Sequence, residues 1–200
     1  MSHSSSKNES RLPGDWEVRP LSKDTWADFE TLFGVHGACS GCWCMYWLTR
    51  GKAFGAGKGE PHKKAMKALA DAGKEPGLIG YMDGVPVAWC ALSPREAYDR
   101  LGHSKTLGRV DDEPVWSLVC FFIAKGYRKH GLATRMLEAA GRHARSRGAT
   151  ILEGYPTDTS GGFLPDPFVF SGLAQIFLKA GFTEVARRSK SRPIFRKKLA

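Results

Sequence analysis

The chain has 200 residues, 42% of them hydrophobic, with 6 Trp, 11 Phe and 5 Tyr; that is enough apolar mass for one ordinary core and excludes wholesale disorder. The 30 Lys and Arg against 20 Asp and Glu leave a formal charge of +10, which calls for an anionic partner: nucleic acid, an anionic membrane or a phosphate-rich small molecule. No apolar run approaches the roughly 20 residues of a membrane span, residues 1–14 lack the apolar core of a signal peptide, and five cysteines, an odd number, make no disulfide framework; a cytoplasmic protein with free thiols is expected.

Residues 1–14 are polar, end in Pro13-Gly14 and read as a flexible tail. The folded domain is expected over 15–200. Residues 16–20 alternate and predict a short strand. Ser22 can cap a helix through about Phe33, with Trp26, Phe29, Leu32 and Phe33 on one side. The stretch 34–59 is rich in Gly, Cys and aromatics and reads as a loop. A helix starts near Glu60, where Pro61 suits the first turn, and stops near Gly73. Then the period changes to two. Strands 78–82 and 85–92 flank Asp83-Gly84, a strong hairpin signal. After a connection over 93–114, residues 115–123 are nearly all apolar, as in a strand buried on both faces. A helix follows over 132–147, with Met136, Leu137, Ala140 and Ala144 inward, and Gly148 ends it. Residues 151–155 are a strand. Beyond a Gly/Pro loop come a helix over 173–180, ended by Gly181, and strands 183–188 and 193–198. The order βα(α)ββ(α)βαβαββ is a single α/β domain.

The segment from Phe121, Phe122 and Ile123 through Arg128-Lys129-His130-Gly131-Leu132-Ala133-Thr134 carries the chemistry. A strand runs into a basic turn, and a helix begins. The first helical turn leaves N–H groups unpaired at the positive end of the helix dipole, which suits an anion. Gly131 admits close backbone approach, and Arg128 offers a donor fork suited to phosphate.

Here the sequence resembles the GNAT acetyltransferase superfamily, whose acetyl-CoA loop reads R/Q-x-x-G-x-G/A. Arg128, Gly131 and Ala133 fill its fixed positions, and Ala174-x-x-Phe177-x-x-x-Gly181-Phe182 is similar to the late A-x-x-Y-x-x-x-G-F element. Cys42-Trp43-Cys44-Met45, Pro94-Arg95-Glu96, 115–123 and Glu153-Gly154-Tyr155-Pro156 resemble an uncharacterised bacterial subgroup. The likeness implies a mixed, mostly antiparallel sheet flanked by helices. It also implies acetyl-CoA as co-substrate, held by the amides from Arg128 through Lys129, His130, Gly131, Leu132 and Ala133 to Thr134. The main chain of Phe121, Phe122 and Ile123 would pair with the pantetheine. No metal is implied, and a small-molecule amine would attack the thioester directly. Protein lysines or N-termini, or a non-catalytic acetyl-CoA sensor, are the alternatives.

The usual Tyr of the late helix is Phe177 here, which has no hydroxyl. Tyr155 is the replacement candidate for general acid and Glu153 the candidate base. Asp111, Asp112 and Glu113 could hold a cationic acceptor, although a solvated acidic turn is the simpler reading. His36, Cys39, Cys42 and Cys44 are zinc-ligand types at non-standard spacing. The blander expectation is a loop that roofs the acceptor pocket with Trp43, Met45, Tyr46 and Trp47. Cys90 and Cys120 read as packing thiols. Arg128, Lys129 and His130 give the net charge a phosphate-rich partner, and Arg135, Arg142, Arg145 and Arg147 would extend that field toward the adenosine. The C-terminal basic run from Arg187 to Lys198 lacks a nucleic-acid-reading motif, which disfavours nucleic acid as partner. Apolar aromatic loops leave room for a homodimer, and nothing in the sequence selects the acceptor.

Overall fold

In the computed structural model, which describes residues 14–160 and 170–200, the hairpin forms at the expected pair. Asp83 (φ +50°) and Gly84 (φ +78°) both take the left-handed conformation that tight hairpins require. They join β2 (Gly77–Met82) to β3 (Val85–Pro94). The Asp83 carboxylate also accepts the Asp15 amide at 2.8 Å, which latches the start of β1 (Trp16–Pro20) to the hairpin. The tail expected at the N-terminus falls, except for Gly14, outside the described residues.

β4 (Trp116–Ile123), β5 (Ile151–Gly154), β6 (Thr183–Arg187) and β7 (Pro193–Lys198) complete a seven-stranded sheet in the order β1-β2-β3-β4-β5-β7-β6. Its one parallel pairing, among the described residues, is β4 with β5. Helices cover both faces. On one lie α1 (Trp26–Phe33), α3 (Glu60–Asp71), the 42–48 loop and the one-turn α4 (Asp99–Gly102); on the other lie α5 (Leu132–Ser146) and α6 (Ala174–Lys179). Trp89, fully buried in β3, meets Phe29 edge-on with centroids 4.8 Å apart. Met136, Leu137, Ala140 and Ala144 of α5 are buried against the opposite face, as their spacing predicts. Each large side chain so placed is worth roughly 1.5–3 kcal/mol relative to exposure.

Three local expectations need correction. The first helix begins at Trp26 with Thr25 before it, not after a Ser22 cap. The Thr25 hydroxyl accepts the Ser22 amide and donates to the Pro20 carbonyl, both at 2.9 Å, so Ser22 is held in the approach to the helix. The 34–59 loop contains a short helix, α2 (Gly51–Ala56), whereas α4 fills the place in the 93–114 connection where the expected order allowed a helix. Finally, β4 is buried only in its first half; from Cys120 to Ile123 it is half-buried. The cause lies in its neighbour, which stops pairing halfway.

Candidate active site

β4 and β5 pair through Trp116↔Leu152, Ser117↔Glu153 and Leu118↔Gly154, and there the ladder ends. On the other side of β4 the register passes from Leu92↔Leu118 to Ala91↔Cys120, which makes Val119 a bulge. A bulge bends a strand and re-aims the residues after it. Past this one, the Phe121 amide donates to the Phe170 carbonyl at 2.6 Å, and the Ile123 carbonyl accepts Arg128 Nε at 2.9 Å. Both residues therefore turn their polar groups away from β3, toward the opening. Phe122 turns its ring the other way, 5.6 Å from Phe33.

β4 delivers the chain straight into the basic turn. Lys129 (φ +67°) and Gly131 (φ +75°) are both left-handed, which curls the backbone over the start of α5. Glycine takes that conformation freely, whereas Lys129 does so at a cost of about 1–2 kcal/mol. Arg128 and Lys129 are exposed; Leu132 is buried and anchors the helix, so it offers a ligand its backbone only. Ala133 and Thr134 complete the first turn, where the Thr134 amide already donates to the Gly131 carbonyl at 3.0 Å and the Leu132 and Ala133 amides have no intrahelical acceptor. A phosphate fits this end of the site by charge and by donor supply. An extended amide chain fits the β4 edge once it takes the place of the Phe170 carbonyl.

At the foot of the opening lies a network of buried charge. Arg95 Nη1 donates to Glu153 Oε1 at 3.1 Å and to the Tyr155 hydroxyl at 2.5 Å. Arg95 Nη2 donates to the Leu107 carbonyl at 2.7 Å. The Tyr155 hydroxyl donates to Glu153 Oε1 at 2.5 Å and meets Ser117 Oγ at 2.8 Å. Arg196 donates to Glu153 Oε2 at 2.7 Å and to Asp111 Oδ2 at 2.6 Å. Two cations and two anions therefore balance. Glu153 is 1% exposed and Tyr155 0%. Burial, reinforced by the Glu153 charge, pushes the Tyr155 hydroxyl far above its ordinary value.

This geometry changes the expected roles. A general base needs a free lone pair within reach of the acceptor. Both Glu153 oxygens are committed and neither faces solvent, so Glu153 does not fit the role of base. The Tyr155 hydroxyl points back toward Ser117, into the paired part of the sheet. The two side chains brace β4 against β5. Asp111 clamps Arg196 from the exposed rim of the network, and Asp112 and Glu113 are exposed as well. Arg95, in the 3-10 turn that follows β3, was missed as a site residue; its neighbours Pro94 and Glu96 carry no sign of burial, and it stood out only within the Pro94-Arg95-Glu96 resemblance.

Phe177 is fully buried, edge-on to Phe121, Phe182 and Phe195. A Cβ on Gly154 would fall 2.2 Å from its ring. The late-helix position is thus an apolar wedge against the end of β5.

The cysteine loop divides. Trp43 and Met45 point into the core, with Trp43 stacked on Phe33 at 5.9 Å. Cys44 is buried and accepts the Trp89 indole N–H at 3.1 Å. Burial, aided by nearby Cys44, pushes the Cys42 thiol up to about 11. All five cysteines are free, and no group of three metal-ligating side chains occurs among the described residues. Of the four side chains expected to wall an acceptor pocket, only Tyr46 and Trp47 line a cavity. That cavity, of about 390 Å³, is lined by these two with Arg50, Arg100, His103, Ser104 and Leu107.

The remaining charge is also placed. Arg187 pairs with Glu184 and Asp158, Arg188 holds the Gly108 and Arg109 carbonyls, and Lys197 holds the Ala180 carbonyl. The C-terminal basic run stitches the last hairpin to the fold. Arg147 pairs with Glu75 at the far end of α5, about 20 Å from its start at 1.5 Å per residue. It cannot extend the field of the phosphate loop.

A half-parted pair of strands that feeds a glycine-turned helix start defines an acetyl-CoA-dependent acyltransferase class. Residues 42–159 match the Acetyltransferase (GNAT) family, which covers more than half of the chain; the protein belongs to that family and is an acetyltransferase that uses acetyl-CoA. Similar solved structures agree in fold. The acetyltransferase YncA from Salmonella typhimurium with acetyl-CoA shares 12% identity at a TM-score of 0.55, covering 92% of this chain and 94% of that one. PaiA N-acetyltransferase from Thermoplasma acidophilum with coenzyme A shares 13% at 0.52, covering 92% and 99%. An agmatine N-acetyltransferase variant shares 14% at 0.53, covering 92% and 100%. No protein of curated function matches the chain.

Proposed function

We propose that the acetyl group goes to a primary amine of a small molecule in the cytosol. The observation that carries this reading is the walled cavity beside the opening: Trp47 lines it and also packs against Tyr155, the residue that follows β5, with centroids 6.4 Å apart. When bound, acetyl-CoA supplies the acetyl group as an activated thioester. The amides from Arg128 to Thr134, with the Arg128 and Lys129 side chains, hold the pyrophosphate. The Phe121 amide and Ile123 carbonyl, with Phe122 locking the strand between them, hold the pantetheine as an added strand.

Glu153 and Tyr155 are positioning residues in this reading. They fix the angle at which β4 and β5 part. The ammonium acceptor loses its proton to water at the cavity mouth. A thiolate, whose parent thiol titrates near about 8.5, needs no strong acid from the protein.

Two measurements test the reading. Acetyl-CoA should raise the melting temperature by binding only the folded state, and consumption of acetyl-CoA should appear with amines of small size; no thermal shift at saturation ends the proposal. Tyr155→Phe should lower the melting temperature yet keep the pH profile of kcat/KM. A lost limb of that profile would return Tyr155 to the proton path.

A further inference from the structure

The lining of the cavity carries information about the acceptor. We propose that the acceptor amine bears a carboxylate, which Arg50 receives at the cavity rim with Arg100 supplying the surrounding positive field. This inference rests on the acetyltransferase reading and names the substrate class for it.

The cavity's cations differ in their partners. Arg100 lies with its guanidinium 3.9 Å over the Tyr46 ring and donates to the Tyr46 and Thr49 carbonyls at 2.6 and 3.0 Å. Those partners are neutral, so the Arg100 charge is not cancelled by them. Arg50 donates through Nε to Asp99 Oδ2 at 2.8 Å. Its two Nη groups have no hydrogen-bond partner among the described residues, and a guanidinium presents them as a fork that matches a carboxylate. The His103 Nδ1 lies 2.9 Å from the Asp99 carbonyl and 3.2 Å from Asp99 Oδ1. The one carboxylate here, Asp99, thus pairs with Arg50 through Nε alone and with Arg100 not at all.

The contrast with a polycationic acceptor is direct. A diamine would meet an uncompensated guanidinium on the cavity wall and no acidic side chain among the lining residues. A carboxylate would meet the reverse. Size and place agree: about 390 Å³ is within the roughly 300–1,000 Å³ of small-molecule sites. Trp47 stands between the cavity and the opening, since its ring also lies 6.3 Å from that of Phe170, whose carbonyl holds the Phe121 amide. Trp47 is thus the wall that the cavity shares with the opening, and a ligand anchored at Arg50 by its acid reaches the parted strands with its amine by passing that ring.

The test has a binding arm and a turnover arm. In the first, tryptophan fluorescence follows titration with N-acetyl-L-amino acids and with the corresponding N-acetyl amino-acid amides, using the whole protein without acetyl-CoA. The acids should bind at least 10-fold more tightly for at least one side chain, and Arg50→Gln should erase that preference while Arg50→Lys restores part of it. In the second, L-arginine, L-lysine and L-ornithine are compared with agmatine, cadaverine and putrescine, and the other L-amino acids with their decarboxylated amines. The carboxylated member should show the higher kcat/KM, and Arg50→Gln should raise its KM with little change in kcat. Equal or better use of the decarboxylated amines, or an acid preference that survives Arg50→Gln, overturns the inference, as does the absence of acid binding in the first arm. A normal acetyl-CoA thermal shift with any of those results removes this inference alone. A missing thermal shift removes the acetyltransferase reading and this inference with it.

Discussion

Two regions of this protein concentrate charge, and they use it in opposite ways. In the foot of the opening, Arg95, Glu153, Arg196 and Asp111 answer one another within 2.6–3.1 Å, and Tyr155 and Ser117 close the remaining valences. In the basic turn, Arg128 and Lys129 stand exposed beside a helix start that supplies donors and no acidic side chain. Internal neutrality marks the first region as structure. The second is built for an anion that comes from outside. Charge counted along the sequence does not separate the two; the partners do.

The comparison breaks most sharply at Arg95. Arg95→Met removes one member of the buried network and leaves Glu153 and Tyr155 short of a donor, a loss of about 3–5 kcal/mol by analogy with broken buried pairs. Urea unfolding at neutral pH should show it as a large fall in midpoint; a fall below about 1 kcal/mol would mean that the network is not structural. The basic turn should behave in the opposite manner. Arg128→Glu with Gly131→Glu should abolish the acetyl-CoA thermal shift, while the free protein loses only the roughly 1–2 kcal/mol of a left-handed non-glycine residue. An undiminished shift would place the cofactor elsewhere.

A smaller effect is expected at Gly154. Gly154→Ala drives a methyl into the Phe177 ring and should cost about 1–3 kcal/mol through overpacking. Adding Phe177→Leu should recover part of that loss, and no recovery would show that the contact is not the cause. The smallest effect concerns Asp111, whose carboxyl is held below its ordinary value by the hydrogen bond from Arg196. A carboxyl with a lowered folded value stabilises above its unfolded value, near about 3.9, and that contribution fades as pH falls through the folded value. The gap in urea midpoint between the wild type and Asp111→Asn should therefore be present at pH 7 and close in strong acid. A gap that widened on acidification would show that the Arg196 bond does not favour the ionised carboxyl.

Much of the fold was legible because its signals are local. The Asp83-Gly84 turn, the spacing of Met136, Leu137, Ala140 and Ala144, and the Gly131 turn each depend on neighbours a few residues away. The Ser22 cap failed for a reason of that kind: neither Ser22 nor Thr25 caps the helix with its side chain, because the Thr25 hydroxyl bonds the Ser22 amide and the Pro20 carbonyl instead. The half-exposure of β4 was hidden for a different reason: eight apolar letters out of nine do not say where the partner strand stops. The phosphate loop could be read as a motif, whereas the roles of Glu153 and Tyr155 could not. Their partners Arg95 and Arg196 lie 58 and 43 residues from Glu153, and only the folded sheet brings them together. The cavity depends on the same kind of distance, with Arg50 from one connection and Arg100 from another.

The single parallel pairing also has a consequence in time. β2 and β3 are joined by a two-residue turn and can zip as soon as the hairpin closes, while β4 must wait for the whole of α5 to cross before β5 can dock. Closing long loops costs chain entropy before any contact repays it. The cleft is therefore among the last parts of the molecule to be assembled. Pulsed hydrogen exchange during refolding should protect the Leu78 and Cys90 amides, which face each other across the hairpin, before that of Glu153, which faces β4, and simultaneous protection would refute the order. A nascent or partly unfolded chain would then possess the hairpin core well before it could recognise its cofactor.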